Sequence, residues 1–171
     1  TMSAVTAIDV GPLTWVKGEI DLALQRATEA LQKLAANRAD APQLKFAQTH
    51  LHQAHGALAI VGLDGVTQVS EAIERLLDDL DKGTVATTLD ALELAGRALD
   101  ALRHYLDDLV HGGPNQPLRL LGLYQDLCRA RGQSSPAPSD LFYPDLSLRP
   151  PKRAGESPAL SGTQSTQAMR A

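Results

Sequence analysis

Three of the five histidines fall within six residues, in the segment Thr49-His50-Leu51-His52-Gln53-Ala54-His55-Gly56-Ala57-Leu58. An imidazole can act as a nucleophile, carry a proton or ligate a metal. Which of these a cluster can do depends on where the rings point. Successive residues of a helix turn by about 100°, so His52 and His55 lie roughly 60° apart on one face, while His50 points roughly 200° away from His52. Each of the two co-facial histidines sits one position past an apolar residue, Leu51 or Ala54, which places both at the edge of a buried stripe. Two histidines on one face could begin a metal site, but no cysteine or clear third ligand accompanies them. The single cysteine, Cys128, sits on a core-facing turn with no recognisable signature around it, which argues against a catalytic Cys–His pair. Boundary histidines with no reaction to perform are common, and geometry alone leaves that alternative open.

Gly56 adds a constraint. A glycine inside a helix costs about 1 kcal/mol relative to alanine, yet here it follows His55 directly. A missing side chain lets another surface approach closely. An imidazole at the edge of a bundle beside cleared space suits delivery to a protein partner.

The elements that must position this segment are legible as apolar stripes at spacings of three and four. A first helix is predicted from about Pro12 to Asn37, with Leu13, Val16, Ile20, Leu24, Ala27, Leu31 and Leu34 inward. Trp15, near its entrance, is expected to be largely buried. The histidine segment belongs to a second helix, about Pro42 to Val61, with Leu44, Ala47, Leu51, Ala54, Leu58 and Val61 as its stripe. A third covers about Leu63 to Lys82 and stops at Gly83; its outer face is acidic, with Glu71, Glu74, Asp78 and Asp79. A fourth covers about Thr88 to His111, with Leu89, Leu92, Ala95, Leu99, Leu102, Leu106 and Leu109 inward. A shorter fifth runs from about Pro117 to Arg131. Short connections between long helices make antiparallel neighbours. The expected fold is all-α: an up-down four-helix bundle with an additional C-terminal helix.

Composition agrees. The 171 residues include 28 Leu and 25 Ala but only 4% aromatics, a mixture that favours packed helices over sheets. A net charge of −4 without any dense basic stripe argues against nucleic acid as a partner. No apolar run reaches the roughly 18–20 residues that span a bilayer, and no signal peptide is visible. Thr1 ahead of Met2 reads as a residue preceding the natural start. No nucleotide-cradling glycine loop or paired acidic site supports a free-standing enzyme, and no cofactor is implied.

Beyond Gly132 the pattern changes: six of the ten prolines fall in the last 39 residues. The expected organisation is an N-terminal extension (1–11), a helical bundle (12–132), a docked or partly ordered extension (133–150) and a flexible tail or interdomain linker (151–171). Leu141, Phe142 and Leu146 are expected to pack back on the bundle, since leaving a large apolar side chain in water forgoes roughly 1.5–3 kcal/mol.

His52-Gln53-Ala54-His55-Gly56-Ala57 resembles the His-x-x-Lys-Gly-Ala/Ser motif of histidine phosphotransfer (Hpt) domains. Leu13-Thr14-Trp15-Val16-Lys17-Gly18-Glu19-Ile20 and Asp140-Leu141-Phe142-Tyr143-Pro144-Asp145-Leu146-Ser147 extend the likeness to the N-terminal region of ChpA/PilL-type chemosensory hybrid histidine kinases, which control type IV pili and twitching motility, and to the stand-alone FimL-like proteins that share that region. The resemblance implies a domain, cytoplasmic and recruited to the cell pole, that binds response-regulator receiver domains. In it His52 is the candidate phosphohistidine, Gln53 and His55 flank the phosphoryl group, and Gln53, His55, Gly56 and Ala59 belong to the receiver-binding surface; the receiver, not this chain, brings the Mg²⁺. The same resemblance carries an alternative, a degenerate scaffold that binds a receiver or a polar-localisation protein without phosphotransfer. Two departures bear on this choice. His55 stands where the family has Lys, and Leu58 where a small residue is usual. An ammonium is a permanent cation, whereas an imidazole of ordinary pKa is mostly neutral near pH 7.

Overall fold

The computed structural model describes residues 10–134 and residue 136. Five helices follow one another: α1 Gly11–Ala36, α2 Ala41–Val61, α3 Asp64–Lys82, α4 Leu89–Val110 and α5 Leu121–Ala130, with a 3₁₀ turn over Pro117–Leu120 before α5. No strand occurs among the described residues. Helix α1 packs on α2 and α4, and α3 packs on the same two, which closes a four-helix ring; α5 lies against α3 and α4. The expectations for Leu141, Phe142, Leu146 and the tail lie outside the described residues.

The core is almost wholly leucine and alanine. Leu24, Leu51, Leu58, Ile73, Leu99, Leu102 and Leu106 are fully enclosed, and the stripes read from the sequence supply most of this interior. Two residues depart from it. Trp15 is 89% exposed, not buried. Leu13 and Ile20 fix the inward face of α1, and a residue two positions past Leu13 turns about 200° from it, onto the opposite side. Leu89 is also exposed: it is the first residue of α4, ahead of the first full turn that meets a neighbour. The expected fifth helix divides into the 3₁₀ turn and α5, and its Leu121 and Tyr124 are half-buried.

Helix boundaries follow from local chemistry. Thr88 caps α4, its Oγ1 accepting from the Ala91 N–H at 3.1 Å; such a cap satisfies a backbone donor that the helix cannot. Between α2 and α3 the turn is minimal. Gly62 adopts φ 84°, and its N–H reaches the carbonyls of Leu58 and Ala59. That left-handed conformation costs an L-residue roughly 1–2 kcal/mol, so glycine permits a reversal here without a longer loop.

Ion pairs tie the helices laterally. Lys17 on α1 bonds Asp21 at 2.6 Å and Asp107 on α4 at 3.1 Å. Burial pulls the Lys17 pKa down, and the two carboxylates more than reverse this, leaving it raised. Arg131, just after α5, holds Asp79 of α3 at 2.6 Å. Tyr105 of α4 donates its hydroxyl proton to Asn115 Oδ1, which anchors the segment leading to α5.

Burial is the main cause that pushes the Tyr105 phenol up to about 12, against small opposing effects from the Gln116 backbone and Arg119. The folded state therefore retains a proton that the unfolded chain releases near pH 10. This contribution to stability is intact below pH 10 and disappears as pH rises toward 12. In denaturant titrations Tyr105→Phe is expected to cost about 1 kcal/mol at neutral pH, through the lost hydrogen bond, and to flatten the stability loss above pH 10.

Candidate functional site

The tight turn at Gly62 folds α3 back along α2, so residues at equal or nearly equal distances from Leu63 face one another. Three cross-helix contacts use this register: Lys45 with Asp81 at 2.6 Å, His52 with Glu74 at 3.2 Å and His55 with Ser70 at 2.8 Å. The two histidines that share a face in the sequence reading do so in the structure. Their rings stack, with centroids 6.4 Å apart and planes inclined by 22°.

Each ring is oriented by its Nδ1 atom. The His52 side chain is 79% exposed, while the Glu74 carboxylate beside it is 22% exposed. An ionised carboxylate only accepts hydrogen bonds, so Nδ1–H of His52 donates to Glu74 Oε1 and the lone pair lies on the outward Nε2. His55 is oriented by Ser70, which is fully buried. Ser70 Oγ spends its single proton on the Thr67 carbonyl at 2.7 Å. It therefore accepts from His55 Nδ1–H, and His55 also retains an unprotonated Nε2 when neutral.

Gly56 and Ala59 continue the face of His52 and His55, one turn further along α2. A Cβ built on Gly56 would meet nothing within 4 Å. Internal packing therefore does not require this glycine, and the space beside it opens outward. Gln53 lies off this face. Its Oε1 is 3.3 Å from His50 Nδ1, although the residue still borders the same groove as His52. That groove, about 610 Å³ between α2 and α3, is also lined by Glu71, Arg75 and Asp78.

Two residues of this groove carry roles that the sequence reading did not give them. The sequence places Glu74 on the acidic outer face of α3 and gives no reason to single out Arg75. Arg75 brings a permanent positive charge, held by Glu71 at 2.5 Å. The signal for Glu74 was available in the turn: a reversal centred on Leu63 pairs it with His52. Among the described residues, no group of three or more His, Cys, Asp or Glu side chains could hold a metal ion, and no helix is long and apolar enough to cross a membrane.

The site is thus an exposed imidazole held by a carboxylate on the adjacent helix of a four-helix bundle. The Hpt domain family matches residues 19–112, more than half of the chain. The chain belongs to the Hpt domain family. The match spans α2, α3 and α4 and most of α1, and ends before α5. A curated relative, the scaffold protein FimL of Pseudomonas aeruginosa, is 27% identical over 143 residues. The alignment covers 83% of this chain but only 25% of FimL, so the chain corresponds to about a quarter of that protein's length. No solved structure matches.

Two measurements check this geometry. Long-range ¹H–¹⁵N NMR is expected to find neutral His52 and His55 both protonated on Nδ1, and Ser70→Ala to release that preference in His55 alone. Gly56→Ala is expected to stabilise the Hpt domain by up to about 1 kcal/mol in chemical denaturation, since helix propensity improves and nothing is displaced.

Proposed function

We propose that this Hpt domain binds response-regulator receiver domains through the α2–α3 face and passes a phosphoryl group through His52. The observation that carries the reading is the pair His52–Glu74: an imidazole with its Nδ1 proton committed at 3.2 Å and its other nitrogen facing solvent. The Nε2 lone pair would attack phosphorus in the aspartyl phosphate of a receiver. An N–P bond forms, the P–O bond to the aspartate breaks, and the carboxylate leaves with the electron pair. Nδ1 keeps its proton, so the phosphorylated ring is cationic and Glu74 compensates its charge. Return transfer to an aspartate reverses these bonds.

Arg75 lines the groove beside His52 and the His55 ring stacks on that of His52, so the phosphoryl oxygens would enter near both. Phosphoryl transfer depends on positioning and charge stabilisation, and the family's Lys would serve it better than His55. Gln53, Gly56 and Ala59 would meet the receiver around His52, with Gly56 leaving room for its backbone. The wider assignment rests on the resemblance of the Leu13–Ile20 and Asp140–Ser147 segments: a cytoplasmic ChpA/PilL-type signalling system controlling type IV pili and twitching motility, with recruitment to the cell pole.

The relative named a scaffold protein favours a second reading, in which the same face binds a receiver or a polar-localisation protein and transfers nothing. One experiment separates the two. The Hpt domain is mixed with a phosphorylated receiver of the same signalling system, and both binding and phosphohistidine are measured. Phosphotransfer is expected in the wild type and absent in His52→Gln, with receiver binding retained by both. Glu74→Ala is expected to slow transfer by about tenfold, and His55→Lys to accelerate it by a similar factor. Gly56→Leu is expected to weaken receiver binding by steric bulk. Binding without any label on wild-type His52 supports the scaffold. Absence of binding to the receiver removes the phosphotransfer reading and leaves the scaffold reading only with a partner other than a receiver.

A further inference from the structure

Four of the six large apolar side chains exposed among the described residues lie on the outer face of one helical hairpin: Trp15 and Leu22 on α1, Phe46 and Ile60 on α2. Trp15 and Leu22 are one heptad apart, and Phe46 and Ile60 are two, so each pair forms a line along its helix. The helices run antiparallel, which puts Trp15 and Ile60 at the same end. Leu22, Glu19, Arg26 and Ala57 border a hollow of about 360 Å³ between them. A Cβ on Gly18, on the same side of α1, would meet nothing within 4 Å. Trp15 at 89% and Ile60 at 87% exposure are unusual for apolar side chains of their size, and aligned exposure of this kind marks interaction surfaces.

The charges on this face select its occupant. Glu19 and Arg26 flank Leu22 on α1, about one turn to either side, and neither is ion-paired to another described residue. A two-fold axis passing through Leu22, lying in the plane of the face and perpendicular to α1, would set Glu19 of one copy against Arg26 of the other, and the reverse pair forms by symmetry. Such self-complementarity is what an isologous interface requires. We propose that a second copy of this chain covers the α1–α2 face, with Leu22 at the two-fold axis, Trp15 and Ile60 sealing the ends and reciprocal Glu19–Arg26 pairs setting the orientation. The inference does not depend on the chemistry of His52.

The test is sedimentation equilibrium of the 171-residue chain over a range of concentrations, with circular dichroism to verify folding. A reversible dimer is expected, and Leu22→Asp or Ile60→Asp should leave folded monomer. Glu19→Arg and Arg26→Glu should each weaken the dimer about tenfold or more, because both pairs become repulsive. An equimolar mixture of those two variants should recover the dimer as a heterodimer, since each offers the charge that the other lacks. The proposal is overturned by a chain that is monomeric throughout, by a dimer indifferent to Leu22→Asp and Ile60→Asp, or by a mixture no tighter than either variant alone. It is equally overturned if the chain stays monomeric and Leu22→Asp abolishes receiver binding, which gives the face to the receiver.

Discussion

The left-handed turn at Gly62 governs the site more than any residue inside the groove. It reverses the chain so tightly that α2 and α3 have one register, nearly symmetric about Leu63. Lys45–Asp81, His52–Glu74 and His55–Ser70 are successive rungs of that register. The turn sets one alignment of the two helices, and in it the buried leucines of both helices and the three polar rungs are accommodated together.

Within that register the two histidines differ although their rings are nearly parallel. His52 meets solvent on one side and a carboxylate on the other, which permits it to carry a positive charge with compensation at hand. His55 leans on a serine whose own proton is engaged elsewhere, so its orientation is fixed by a neutral chain of hydrogen bonds ending at the Thr67 carbonyl. A lysine at this position would have a flexible stem and three rotatable donors; the imidazole has a fixed direction. The position beside His52 thus has a fixed direction in place of a permanent charge, and Arg75 on the other helix, which lines the same groove, is paired with Glu71.

Much of this was legible in the residues. The spacing of leucines locates all four bundle helices to within a residue or two, and the 100° rule separates His52 and His55 from His50. The features that escaped share one cause: they depend on what stands opposite a residue, which periodicity within one helix does not encode. Trp15 reads as core by its size, but its phase on α1 takes it outward. Leu89 has the right phase, yet α4 begins there with no neighbour to bury it. Glu74 has the composition of a solvated face and becomes a partner of His52 through the turn. Ser70 lies unremarked between Val69 and Glu71, although its burial determines the orientation of His55. Glycine placement would have resolved part of this, because a single Gly62 between two amphipathic helices already implies the pairing.

Helix α5 lies beyond the segment matched by the family, and its attachment has a mechanical meaning. Arg131 grips Asp79 where both side chains are only 16% exposed, and Gln125 holds the Pro136 carbonyl at 3.3 Å. Asp79 and Glu74 belong to the same helix, little more than one turn apart. The guanidinium and the Gln125 amide thus fasten α5 and the chain just beyond it at two points, and α3 serves as a shared beam, bearing the Arg131 bridge and, little more than one turn away, the carboxylate that orients His52.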